Sequence, residues 1–164
     1  MKQITAVCPG SFDPVTLGHI DIIKRASATF DKVIVAVMTN TAKTPSFTAQ
    51  ERVEMLRLAT KGIDNLEVDV YDGLLAEYVK QKGATAIVKG LRAVSDFEYE
   101  FQQALTNKKL NPLAETVFFT TSAENMYLSS SIVKSIASMN GDISDFVPAC
   151  IHDVIKKRLS KKGE

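Results

Sequence analysis

The sequence predicts an α/β fold, a five-stranded, mostly parallel sheet with helices on both faces, in a single domain spanning residues 1–164. Three observations predict it. Short β-branched runs alternate along the chain with segments of helical spacing, the pattern of right-handed βαβ units. One run, Val33 to Val37, is apolar at every position rather than alternating, as expected of a parallel strand covered on both faces. The chain's 164 residues suit one compact domain. No internal repeat, low-complexity linker or shift in composition divides it.

In chain order, residues 4–8 read as a buried strand. Residues 18–30 read as a helix, with Ile22, Ile23, Ala26 and Phe30 at helical spacing. Residues 33–37 make the second strand. Thr48 and Glu51 form a capping box that starts a helix running to about Lys61. Residues 66–70 give a third strand, 74–82 a helix closed by Gly83, and 85–89 a fourth strand. Ser95 and Glu98 form a second capping box opening a helix to about Leu110, followed by a fifth strand at 116–121. Ser129 to Ser131 lead into a helix ending near Gly141. Pro148 then opens a final helix that frays into a basic tail.

Composition narrows the class of function. Lys and Arg number 20 against 19 Asp and Glu, hydrophobic residues make up 45% and charged residues 24%. Those are the proportions of a globular protein, and they exclude a disordered chain, a coiled coil and a disulfide scaffold. A net charge of +1 argues against nucleic acid as a partner, because neutralising phosphates needs an excess of cations on one face. Cys8 and Cys150 have neither CxxC spacing nor a nearby His cluster, so no metal site is expected. So few thiols suit a reducing cytoplasm. No signal-peptide core and no run of about 18 apolar residues appears, so no membrane association is expected.

In open α/β sheets ligands bind beyond the carboxyl ends of the strands, near the point where strand order reverses. The residues after the first strand run Pro9-Gly-Ser-Phe-Asp-Pro14, then Thr16-Leu-Gly-His19. This is neither a GxxxxGK[ST] loop nor a GxGxxG fingerprint. Gly10 permits a tight turn or a close backbone approach, and Gly18 leaves the first-turn amides of a helix open to an anion. Thr16 and His19 bracket that helix start as a clamp for a phosphate. Alternatively, His19 simply extends the apolar face of Ile23, Ala26 and Phe30. Lys43 lies in a polar loop after the second strand. Lys89-Gly90-Leu91-Arg92 puts two cations at the end of the fourth, where they suit a polyphosphate or instead pair on the surface with Asp96, Glu98 and Glu100.

Ser129, Ser130 and Ser131 read as a helix cap or as a phosphate cradle. His152 has no evident partner, and Cys8 reads as core. The set holds one His, a Thr, three Ser and several cations, but no acid–base dyad and no nucleophile triad. Phosphoryl or nucleotidyl transfer needs little beyond positioning and charge stabilisation, which this inventory supplies.

Four blocks in order, Pro9 to Pro14, Thr16 to His19, Gly90-Leu-Arg-Ala with Asp96 to Glu100, and Leu128 to Ser131, resemble the bacterial phosphopantetheine adenylyltransferases. These belong to the nucleotidyltransferase superfamily with the (H/T)xGH motif, and the similarity spans essentially the whole chain. The resemblance implies a Rossmann-like fold and transfer of the adenylyl group of ATP to 4′-phosphopantetheine, giving dephospho-coenzyme A and pyrophosphate. It also implies Mg²⁺, a homohexamer and coenzyme A as a candidate inhibitor.

By that resemblance, His19 stabilises the pentacovalent α-phosphate with Thr16 nearby, Ser11 contacts both substrates and Phe12 presents its backbone to ATP. Lys43 holds the attacking phosphate. Leu75 and Lys89 meet the phosphopantetheine. Gly90, Leu91, Arg92, Glu100, Asn125, Met126, Tyr127, Leu128, Ser129, Ser130 and Ser131 bind ATP. Transfer is a direct in-line displacement. Lys89 stands where the family usually has Arg, and Gln103 and Thr106 stand where apolar residues are expected beside the pantetheine arm. The alternatives are another phosphorylated acceptor, such as glycerol phosphate or nicotinate mononucleotide, and a non-catalytic adenine-nucleotide sensor.

Overall fold

The computed structural model describes residues 3–39 and 44–160. Its strands are β1 (Thr5–Gly10), β2 (Lys32–Thr39), β3 (Leu66–Asp72), β4 (Ala86–Leu91) and β5 (Glu115–Thr120). They lie in the order β3-β2-β1-β4-β5, and every neighbouring pair is parallel. The helices are α1 (Leu17–Thr29), α2 (Ala49–Ala59), α3 (Leu75–Gln81), α4 (Val94–Leu110), α5 (Ser130–Ser138) and α6 (His152–Leu159). This is the Rossmann-like arrangement, and its strand order reverses between β1 and β4.

The reversal also opens the sheet. β1 pairs with β2 along all of Thr5 to Gly10, but with β4 only through Ala6↔Ala86 and Val7↔Ile87. Beyond Val7 and Ile87 the two strands part, and a crevice begins at their carboxyl ends.

Alternate side chains of the central strands feed two cores, as the period of two requires. Ala6, Cys8, Val33, Val35, Val37 and Val88 face α1, α2, α5 and α6. Val7, Ile34, Ala36 and Ile87 face α3 through Tyr78 and Val79. α4 packs beside α3, β4 and β5 yet has no buried residue. Among the described residues, no helix is long and apolar enough to cross a membrane.

Several local expectations need correction. The Ser95–Glu98 capping box does not form: β4 runs on to Leu91, the helix starts at Val94, and its N-cap Ala93 makes no side-chain bond. Asp96 instead faces Arg92, Nε to Oδ2 3.4 Å. A 3-10 turn, Ala123–Asn125, precedes α5, and a second, Ala149–Ile151, precedes α6. His152 does have a partner, with Nδ1 2.8 Å from the Asp153 carboxylate. The Thr48–Glu51 box forms as expected, and Gly83 closes α3 with φ +63°.

Candidate functional site

A cavity of about 370 Å³ fills the crevice between β1 and β4. Segments far apart in the chain line it: Ser11, Phe12, Thr16, Gly18 and His19 after β1, Lys89 and Gly90 at the end of β4 with Arg92 just beyond it, Glu100 from α4, and Asn125, Leu128, Ser129 and Ser130 before and within α5. Cys8 and Val88 form its floor at the point where the strands part. Gly90 allows a close approach, since a Cβ there would meet the Ile22 side chain of α1 at 3.0 Å and force it to shift.

His19 is oriented by the cap of its own helix. The Thr16 N–H donates to its Nδ1 at 3.0 Å, and the Thr16 hydroxyl accepts from the His19 N–H. A histidine thus takes the place of Glu in a capping box. With Nδ1 accepting, the neutral ring carries its proton on Nε2. The Phe12 ring meets the imidazole edge to face at 5.0 Å. Burial, and then the Arg92 charge, lower the His19 pKa from 6.5 to about 4. At neutral pH the site therefore holds an uncharged Nε2–H donor.

The cations at the rim are held by α4. Lys89 Nζ lies 3.1 Å from Glu100 Oε2, which makes no directed hydrogen bond, and Arg92 faces Asp96. Arg92 also donates to the Leu128 carbonyl at 3.0 Å, tying the end of β4 to the entry of α5. Ser129 caps α5 by accepting from the Ile132 N–H at 3.2 Å, and Ser130 donates to the Pro14 carbonyl at 2.7 Å. The N-termini of α1 and α5 thus both open on the cavity and add positive polarity there. Burial pushes the Cys8 thiol up to about 12, so it is no nucleophile.

Leu91, Met126, Tyr127, Ser131 and Leu75 are not among the lining residues. Leu91 ends β4, where its carbonyl accepts from Thr121, and Met126 and Tyr127 are exposed on the loop before α5. Ser131 is exposed on the first turn of α5. Leu75 packs on α3 beside the Tyr78 core. Gln103 and Thr106 lie on α4, also off the cavity wall. Lys43 falls outside the described residues. Among the described residues Glu100 is the one carboxylate on the wall, and no three His, Cys, Asp or Glu gather to hold a metal. That donor set fits a Mg²⁺ carried by nucleotide phosphates and water, its usual mode.

Asp13 was missed at the sequence level. It is buried behind the cavity, accepts from the Ser46 and Phe47 amides at 2.9 Å each, and pairs with Lys134 of α5 at 2.6 Å. Burial alone would raise its carboxyl, but Lys134 and the two amides outweigh it and hold the group below its ordinary range. Nothing one-dimensional links positions 13 and 134.

A parallel sheet parted at its reversal point, with a neutral imidazole, cations and two helix N-termini around the opening, has the make-up of a nucleotidyltransferase. A family model described as cytidylyltransferase-like matches residues 7–136. The solved Plasmodium falciparum nicotinic acid mononucleotide adenylyltransferase, complexed with NaAD, superposes with a TM-score of 0.69 over 95% of this chain and 96% of that one. At 14% identity it shows the shared fold.

Three relatives named phosphopantetheine adenylyltransferase are far more similar in sequence. The one from Caldanaerobacter subterraneus is 60% identical over 96% of both chains. That from Alkaliphilus metalliredigens is 54% identical, over 96% of this chain and 98% of its own. The Heliobacterium modesticaldum protein is 55% identical, over 97% and 93%. The chain belongs to the phosphopantetheine adenylyltransferase family.

Proposed function

We propose that the chain carries out its family's reaction in this cavity, joining the adenylyl group of ATP to the phosphate of 4′-phosphopantetheine. A phosphate oxygen of the acceptor attacks Pα in line. The new O–Pα bond forms as the bond to the β-phosphate breaks, and the electron pair leaves on pyrophosphate. No covalent enzyme intermediate arises, in keeping with the absence of an activated nucleophile on the described wall. The single observation that carries this reading is the convergence of four separate segments around the His19 Nε2–H.

His19 donates to an α-phosphate oxygen as charge builds there, and Thr16 keeps the ring in the donating tautomer. Ser11, the Phe12 backbone, Gly90, Arg92, Glu100, Asn125 and Leu128 to Ser130 hold ATP; Leu91, Met126, Tyr127 and Ser131, which lie off the cavity wall, are assigned to it by resemblance alone. Arg92 grips phosphate once it exchanges Asp96 for the nucleotide, and Lys89 exchanges Glu100 for the acceptor in the same way. Lys43 is assigned to the attacking phosphate by resemblance alone, as is Leu75 to the pantetheine arm. Mg²⁺ brought in with the triphosphate would neutralise part of its charge.

The protein acts in the cytoplasm as a homohexamer. The free thiols Cys8 and Cys150 suit a reducing compartment, and the uncovered apolar face of α4 suits assembly. Coenzyme A, which shares both halves of the product, competes for the cavity. The test supplies ATP, Mg²⁺ and 4′-phosphopantetheine to the folded protein and follows pyrophosphate. Release that requires the acceptor supports the assignment, and none in its presence refutes it. Nicotinate mononucleotide and glycerol phosphate should neither replace the acceptor nor compete with it.

A further inference from the structure

Arg52, on the first turn of α2, is 4% exposed, and no carboxylate lies within ion-pair range of it among the described residues. A guanidinium stripped of water without a counter-anion is costly, so its position calls for a compensating partner. Both of its hydrogen bonds go to carbonyls: Nε donates to Thr48 at 3.3 Å, and Nη1 donates to Ser11 at 2.8 Å. The second crosses 41 residues of sequence to reach the loop after β1.

The Ser11–Phe12 peptide is trans, so its C=O and N–H point in opposite directions. Its oxygen is drawn toward Arg52, which is not among the residues lining the cavity, whereas both residues of the peptide are. The Phe12 N–H is thereby turned away from Arg52, and it meets no acceptor among the described residues. Phe12 itself sits at φ +48°, a left-handed conformation that a bulky residue adopts only when its surroundings enforce it. The Phe12 ring packed under Gly10 and the Asp13 carboxylate held by two amides fix the other side of that turn.

The geometry points to Arg52 as a positioning residue: it turns the Ser11–Phe12 peptide so that the Phe12 N–H is offered to a bound phosphate, and it places an uncompensated positive charge behind that amide. The inference rests on the cavity being the ATP site. It predicts an effect on the phosphates and none on the nucleoside.

The experiment titrates ATP and adenosine separately into the full-length protein by calorimetry, comparing wild type with Arg52→Met and Arg52→Lys. For Arg52→Met, ATP affinity should fall about tenfold, the value of one charge-assisted hydrogen bond, while adenosine affinity stays within about twofold. Arg52→Lys, which keeps the charge and one donor, should recover part of the difference. Equal weakening of both ligands, or unchanged ATP binding in a folded Arg52→Met protein, overturns the inference. If Arg52→Met does not fold, Arg52→Lys decides, because its ratio of ATP to adenosine affinity should fall about threefold and an unchanged ratio overturns the inference. A wild-type protein that binds neither ligand removes the ATP-site reading itself, a failure distinct from the other two.

Discussion

His19 is the residue where stability and the proposed chemistry meet. Replacing it with Ala should lower turnover by about 3–4 kcal/mol of transition-state stabilisation, the usual worth of one such donor, with ATP binding reduced less. Its pKa of about 4 in the fold, against 6.5 when unfolded, has a separate consequence. Between those values the unfolded chain holds a proton that the folded chain does not. Stability should therefore fall as pH drops from about 6.5 to 4, by about 2–3 kcal/mol at pH 4.5. Urea unfolding at pH 7 and 4.5 checks this, because His19→Ala should lack that part of the acid loss. Asp13 makes a purely structural contrast. Asp13→Asn should cost about 2 kcal/mol, discounted because Lys134 is a third exposed, and adding Lys134→Met should restore part of it. A melting temperature unchanged in Asp13→Asn would remove the pair from the list of supports.

The elements depend on a close approach and on how far each strand runs. Gly90 lets the end of β4 touch α1, with Ile22 Cγ1 only 3.0 Å from where a Cβ would sit. Gly90→Ala should cost about 1–2 kcal/mol by overpacking, and Ile22→Ala in the same chain should recover most of it. Additive losses in a denaturant series would show that the contact is not the cause. This element scale was the part most legible in the sequence. The unbroken apolar run Val33 to Val37 announced a parallel strand, Thr48 and Glu51 announced the start of α2, and Gly83 announced the end of α3. The Ser95–Glu98 box misled because a capping pattern is local, whereas the start of α4 is set by how far β4 pairs with β5. That pairing continues to Leu91↔Thr120. In the site, motifs placed just after strands were legible because strand ends converge at the reversal. Asp13, Arg52 and Lys134 were not, since their partners lie 121 residues away for the Asp13–Lys134 pair and 41 for Arg52 and Ser11.

At the scale of the whole molecule, α4 leaves an apolar face open: its Val94, Phe97, Phe101 and Leu105 form a stripe with exposures of 42–84%. Phe97 stacks on Phe101 at 5.4 Å and meets Phe118 of β5 at 6.1 Å, so the stripe continues onto the edge strand of the sheet. Water is a poor final environment for such a face, and the homohexamer proposed above would cover it with other copies of the chain. α4 also carries Asp96 and Glu100, the carboxylates that hold Arg92 and Lys89. Covering its outer face in that assembly would therefore fix the helix that governs the rim cations. Sedimentation equilibrium should give a mass near six times 18.0 kDa for the wild type and a smaller one for Phe101→Glu with Leu105→Glu. The dissociated variant should bind ATP more weakly while keeping its circular dichroism spectrum. A wild-type mass of one chain would refute the assembly, and a variant that dissociates with unchanged ATP affinity would sever α4 packing from the rim.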